Sequence, residues 1–276
     1  MREVTPKSLL LDILRVSSGA VLVRDLVGIG ALFELEGNAI RVALTRLGKR
    51  GLVSHDQEGY RLAADAGSLS RWVDDWRLGD KRVRAWKGAW LCVHLPRGVA
   101  RTRRERSKRV LARVGFREGF EGLWVRPDNL RQPLTETLAR LRELGLGDEA
   151  SGFVGSEFSA LQIEAWGTSL WDTNAIESAC QEALVKLSES TERIAELTRE
   201  QALVESFMVG GHGIRVLATD PLLPDAILSG ASRRALHAAM VDYDRLGKQV
   251  WRQILGPSSL AAAPGHLADQ RGSRVR

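Results

Sequence analysis

Residues 36 to 49 repeat in the rhythm of a helix with two chemically different sides. Ile40, Ala43, Leu44 and Leu47 recur at three- and four-residue intervals and so share one side, while Asn38, Arg41, Val42, Thr45, Arg46 and Lys49 fall near the other. The segment ends at Gly51 and runs into two short β-rich stretches, residues 52–55 and 60–62. Between them Asp56-Gln57-Glu58-Gly59 has the length and the glycine of a hairpin loop. Upstream, Leu9, Leu10, Ile13 and Leu14 mark a first helix with Pro6 in its opening turn. Leu22, Leu26 and Ile29 mark a second, weakened by Gly28 and Gly30, where an interhelical turn is the preferred reading. Three helices followed by a hairpin within residues 1–66 is the order of a winged helix-turn-helix. Its third helix carries suitable groups for a major groove: Asn pairs with adenine, Arg with guanine or phosphate, and Thr with a thymine methyl or phosphate. A winged-helix protein-interaction module shares the core but usually lacks several long donors on that outer face.

The remaining chain changes texture twice. Residues 67–85 predict a connecting helix, with Leu69, Val73, Trp76 and Val83 set among charges. Over 86–165, β-rich runs at 90–95, 122–126 and 153–158 alternate with helical patterns at 101–114 and 134–144, which predicts a small α/β sandwich. From 166 to 255 strand signals fade, and helices are expected at 174–187, 191–207, 214–218 and 233–255. Gly210-Gly211-His212-Gly213 and Asp220-Pro221-Leu222-Leu223-Pro224 should break the run. Residues 256–276, small and polar without period, predict a disordered tail. At 276 residues, two or three domains are expected.

Composition matters here mainly through where charge lies. The net charge is only +6, yet between Arg97 and Arg117 nine basic residues face the single acid Glu105. The stretch can be a solvated helix face. It can equally concentrate anions, with Arg101, Arg103, Arg104 and Arg106 as candidates to hold phosphates, whether of DNA or of a nucleotide-bearing effector. No apolar run approaches the roughly 20 residues of a membrane span, and no secretory signal opens the chain, so a cytoplasmic protein is expected. Cys92 and Cys180 are too few for a disulfide framework and read as buried thiols.

Three separated stretches together resemble the PaaX-type repressors of bacterial aromatic-acid catabolism. The first is Asn38-Ala39-Ile40-Arg41-Val42-Ala43-Leu44-Thr45-Arg46-Leu47 through Gly51-Leu52-Val53. The second is Trp86-Lys87-Gly88-Ala89-Trp90-Leu91-Cys92-Val93, then Val114-Gly115-Phe116 and Gly122-Leu123-Trp124-Val125-Arg126-Pro127. The third is Leu170-Trp171-Asp172 with Asp220-Pro221-Leu222-Leu223-Pro224. The resemblance implies a homodimeric transcriptional regulator of α+β, multidomain build: a winged-helix head, a ferredoxin-like middle domain similar to the Cas2 nuclease fold, and a helical C-terminal domain. It further implies repression at an inverted-repeat operator, released by an aryl-coenzyme A thioester such as phenylacetyl-coenzyme A. Asn38, Arg41, Thr45 and Arg46 carry over as DNA contacts. The wing departs from the family pattern, with Asp56 and Glu58 where relatives are often basic, which leaves His55, Tyr60 and Arg61 as its candidates.

Enzymatic readings find little support. A Cas2-like nuclease would need a carboxylate at the end of the first middle-domain strand to hold a hard cation, and His94-Leu95-Pro96 stands there. No Gly-x-Ser-x-Gly elbow occurs, and the five histidines lack metal-ligand spacing. No metal, cofactor or catalytic residue is expected. Of the eight tryptophans, most read as core. Trp166 and Trp171, where the middle domain meets the helical one, are the candidates for touching an effector, because pockets favour domain boundaries.

Overall fold

Thr5 opens the first helix, α1 (Pro6–Val16), by a reciprocal cap with Ser8 while Pro6 occupies the first turn, where its missing N–H costs nothing. The computed structural model describes residues 4–17, 19–63 and 72–255, arranged as two compact units whose boundaries follow Ala66 and Gly247. The last turns of the final helix are therefore counted with the first unit. The expected tail, 256–276, and the first part of the expected connecting helix lie outside the described residues. The protein is a mixed α+β chain with two small antiparallel sheets.

In the first unit, α1 buries Leu9, Leu10, Ile13 and Leu14 against α2 (Val23–Leu32) and α3 (Gly37–Lys49). The glycines Gly28 and Gly30 do not make a turn but lie inside α2. A Cβ on Gly30 would sit 2.8 Å from Ile40 Cγ1, so that glycine lets α3 approach closely. After α3, β1 (Val53–Asp56) and β2 (Gly59–Leu62) form the hairpin, and Asp56 Oδ1 closes its turn by accepting the amides of Glu58 and Gly59. Val21 forms an isolated β-bridge to the hairpin, exchanging backbone hydrogen bonds of 2.9 Å with Tyr60 in both directions.

That bridge makes Gly59 a constrained position. Its φ is +132°, and a Cβ there would lie 2.5 Å from the Val21 carbonyl oxygen. Gly59→Ala should therefore destabilise the first unit by roughly 1–3 kcal/mol through backbone strain, with the clash adding to it. Urea unfolding of the full-length chain should show the corresponding fall in midpoint, and an unchanged midpoint would contradict this packing.

The second unit begins differently from expectation. In place of a continuous connecting helix, the backbone makes 3₁₀ turns over Asp75–Arg82 interrupted at Gly79, whose φ of 49° is outside the helical range. Trp76 is buried there, and the His237 ring occupies the space that a Gly79 side chain would need. Next come β3 (Trp90–His94), α4 (Arg101–Arg113), β4 (Arg117–Phe120), β5 (Leu123–Pro127), α5 (Leu134–Glu143) and β6 (Ser151–Gly155). The sheet order is β4-β5-β3-β6 with every neighbour antiparallel, the connectivity of a split βαβ sandwich. Strand β4 had no counterpart in the sequence reading.

Alternation along the central strand gives the sheet two different faces. Leu91 and Val93 join Val110, Leu111, Phe116 and Leu141 under α4 and α5. Trp90 and Cys92 point the other way, into a cluster with Val125, Trp166, Trp171 and Leu223. Both cysteines are free and buried, and burial pushes each thiol up to about 11.

Four further helices follow, α6 (Ala160–Ser169), α7 (Thr173–Arg193), α8 (Arg199–Thr219) and α9 (Ala231–Leu255), the last belonging to this unit as far as Gly247. Thr198 caps α8 reciprocally with Gln201, and the helix then runs unbroken through Gly210 to Gly213, where a break was expected. These glycines serve packing. A Cβ on Gly213 would stand 2.8 Å from Met240 Sδ, and one on Gly210 3.3 Å from the Tyr243 ring, so α9 crosses α8 at this small-residue patch. The Asp220–Pro224 segment does interrupt the helices. It forms a strap whose Leu222 has a φ of 53°, held by Asn129 Nδ2 donating to the Leu222 carbonyl at 2.6 Å and Arg126 to that of Pro221 at 3.0 Å.

Candidate nucleic-acid interface

The two-sided helix read from the sequence is what the first unit contains. Ile40, Leu44 and Leu47 are buried, whereas Asn38, Arg41, Val42, Thr45, Arg46 and Lys49 are all exposed. The turn that presents α3 is tight: Leu35 N–H donates to the Gly30 carbonyl, and Glu34 sits at a φ of 58°. A helix with its side chains is roughly 10–12 Å across, a match for a major groove about 12 Å wide.

Electrostatics favours the same face. Among the described residues, no ion pair engages Arg41, Arg46 or Lys49, and α3 has no acid in its first turn. Their cationic heads are therefore available to phosphate or base edges. Thr45 is partly committed, because its hydroxyl donates to the Arg41 carbonyl at 3.1 Å, and its methyl is the apolar group it can offer a thymine. Val42, 40% exposed, offers a second apolar contact beside it. Arg50, which the sequence reading passed over, is exposed at the C-cap of α3 and extends the basic row. Its signal was present in the Lys49-Arg50 pair just before Gly51.

The wing is less suited to anions. The rings of His55 and Tyr60 meet at a tilt of 43° with centroids 4.4 Å apart, His55 being exposed and Tyr60 half-buried. Arg61 turns back onto the hairpin, pairing with Glu58 and, at 3.3 Å, with Asp56. Its charge is thus neutralised inside the wing, and the tip presents carboxylates.

The candidates in the second unit fall on opposite sides of the sheet. Arg101, Arg103 and Arg106 are exposed along α4, and Arg104 is half-buried with a hydrogen bond of 3.3 Å to the Pro96 carbonyl. Trp166 and Trp171 belong to the buried cluster on the other face. Trp166 packs between Trp90, Phe120 and Phe158, and Trp171 Nε1 donates to the Gly115 carbonyl at 3.2 Å. The structure does not bring the arginine row and these tryptophans together, since β3, β5 and their neighbours stand between them. Among the described residues no His, Cys, Asp or Glu groups of three or more come together as a metal cluster, and no helix is long and apolar enough to cross a membrane.

Residues 6–66 match the family model described as PaaX-like protein, so the family resemblance read from the sequence is borne out across the three helices and the wing. The PaaX-like family is one of transcriptional regulators. A wider likeness extends over the fold: 90% of this chain and 99% of a solved structure, an uncharacterized protein Rv0674 from Mycobacterium tuberculosis, superpose with a TM-score of 0.57 at 23% identity. No curated protein matches.

Proposed function

We propose that this chain is a DNA-binding transcriptional repressor whose α3 reads the major groove of its operator. The observation that carries the reading is the outer face of α3, where Asn38, Arg41 and Arg46 stand exposed and, among the described residues, free of ion pairs, opposite the buried Ile40, Leu44 and Leu47. Thr45, Val42, Lys49 and Arg50 widen the footprint, with His55 and Tyr60 as contacts at its margin. Two copies would place two such helices on an inverted repeat whose half-sites are one or more turns apart, about 34 Å each. The family likeness supports a homodimer, a ferredoxin-like, Cas2-like middle domain without nuclease chemistry, and control of an aromatic catabolic operon. An effector, such as an aryl-coenzyme A thioester, releases the operator to the extent that it binds the released state more tightly.

Gel-shift on the protein's own promoter region tests this directly. Arg41→Ala should weaken specific binding by about 1–3 kcal/mol if the guanidinium reads a base. A folded Arg41→Ala protein with undiminished affinity would remove that contact. If the wild-type chain makes no shift at all, the domain is a protein-interaction module instead.

A further inference from the structure

The second unit contains a cleft of about 230 Å³ bounded by the 3₁₀ segment, α4, α5 and the strap. Its walls are apolar, with Trp72, Leu78, Leu130, Leu144 and Leu222 among them, yet its charges are unbalanced. Lys81, Arg82, Arg113, Arg126, Arg131 and Arg140 line it. The lining carboxylates are Asp75 and Asp220, and both have commitments. Asp75 holds Arg140 at 2.5 Å, and Asp220 accepts the Leu222 amide at 2.7 Å and faces Arg233 at 3.6 Å.

Arg126 is the most telling of the cations. It is 2% exposed, and its hydrogen bonds go to the carbonyls of Val114, Pro221 and Pro127 and to Asn129 Oδ1, with no carboxylate among them. Burial, and then repulsion from Arg82, hold its pKa down to about 10. Burial likewise lowers that of Arg82, whose Nε has no hydrogen-bond partner among the described residues. Thr137, 3% exposed on the same cleft, has a hydroxyl that is also unpartnered among the described residues. Desolvated donors left unpaired are costly and call for an explanation. One anion entering the cleft would partner Arg82 and Thr137 and bring Arg126 the counter-charge that its carbonyl contacts do not supply.

We infer that this cleft is a binding site for a small organic carboxylate, its anionic head taken by Arg82, Thr137 and Arg126 and its apolar body lying against Trp72 and Leu144. The volume is below the roughly 300–1,000 Å³ typical of drug-sized ligands, which favours a free acid over a nucleotide-bearing thioester. The floor of the site is the strap, where Leu222 is held in a left-handed conformation that costs on the order of 1–3 kcal/mol outside glycine, a form of strain that clusters at ligand clamps. An occupant drawing on Arg126 would compete with the Pro221 carbonyl and so act on the strap. The inference concerns the second unit alone and stands whether or not α3 binds DNA.

Isothermal titration of the full-length chain with benzoate tests it, with phenyl phosphate, inorganic phosphate and benzyl alcohol as comparisons. Saturable binding of benzoate, none of benzyl alcohol, and a loss of at least about tenfold in both Thr137→Val and Arg82→Gln is the expected result, since hydrogen bonds to charged groups are worth that much. Thr137→Val keeps the side-chain volume and removes an unpaired buried hydroxyl, so it should fold at least as well as wild type. Absence of saturable benzoate binding at millimolar concentration, or equal affinity in Thr137→Val, overturns the site. Saturation by phenyl phosphate or inorganic phosphate but not benzoate overturns the carboxylate assignment.

Discussion

Reversing two charges on α3, by Arg41→Glu together with Arg46→Glu, should abolish operator binding while leaving the protein folded. Each arginine that reads a base contributes about 1–3 kcal/mol, so losing both predicts roughly a 30-fold to more than 10⁴-fold fall in affinity. The new carboxylates would in addition repel the phosphate backbone. Neither side chain is buried or ion-paired among the described residues, so stability should move by no more than about 0.5 kcal/mol, the usual range for exposed sites. The two readouts together decide the matter: gel-shift for affinity and thermal unfolding for fold. A stable double variant that still binds its operator would show that another surface makes the contact.

The largest structural effect should come from Trp90→Ala. Trp90 is fully buried on β3, the strand flanked by β5 and β6, and its ring meets three others: Trp86 at 5.5 Å edge-on, Trp166 at 5.0 Å edge-on and Trp171 at 6.3 Å stacked. Truncation leaves a cavity where sheet and helices meet, at a cost of about 3–5 kcal/mol, a large part of the roughly 5–15 kcal/mol that holds a typical domain together. Urea unfolding should show a strongly lowered midpoint or an unfolded second unit. Trp90→Phe should recover most of the loss, helped by removal of an indole N–H that has no partner among the described residues. A Trp90→Ala protein as stable as wild type would mean that this cluster is not the joint it looks to be.

The parts of the molecule that were legible in the sequence share one property: their pattern repeats locally. The i, i+3, i+4 spacing of Leu9, Leu10, Ile13 and Leu14, and that of Ile40, Leu44 and Leu47, is decided by burial on one side, and the burial is as expected. The glycines were misread because their local cost argues for a break, whereas their use is set by residues far along the chain. Gly30 makes room for Ile40 and Gly213 for Met240. Strand β4 escaped notice for a related reason. Its Arg117-Glu118-Gly119-Phe120 has a weak β pattern and is stabilised by pairing with β5, with a register shift between Glu118 and Phe120. The outer face of α3 was readable because exposure on a helix follows from the buried positions alone. The cleft was not, since Arg82, Arg126, Thr137 and Asp220 converge only through tertiary packing, and Arg126 in sequence is one more residue of a strand.

The mooring of Arg126 has a practical corollary. Ionic strength screens exposed charges over a Debye length of about 8 Å at 0.15 M and has far less purchase on interactions sealed from solvent. Arg126 grips the strap through the Pro221 carbonyl in the interior, whereas Arg41, Arg46 and Lys49 stand in water. Concentrated electrolyte should therefore strip the protein from nucleic acid and leave the joint between sheet and strap intact, so that the two halves of its behaviour become separable by nothing more than added salt.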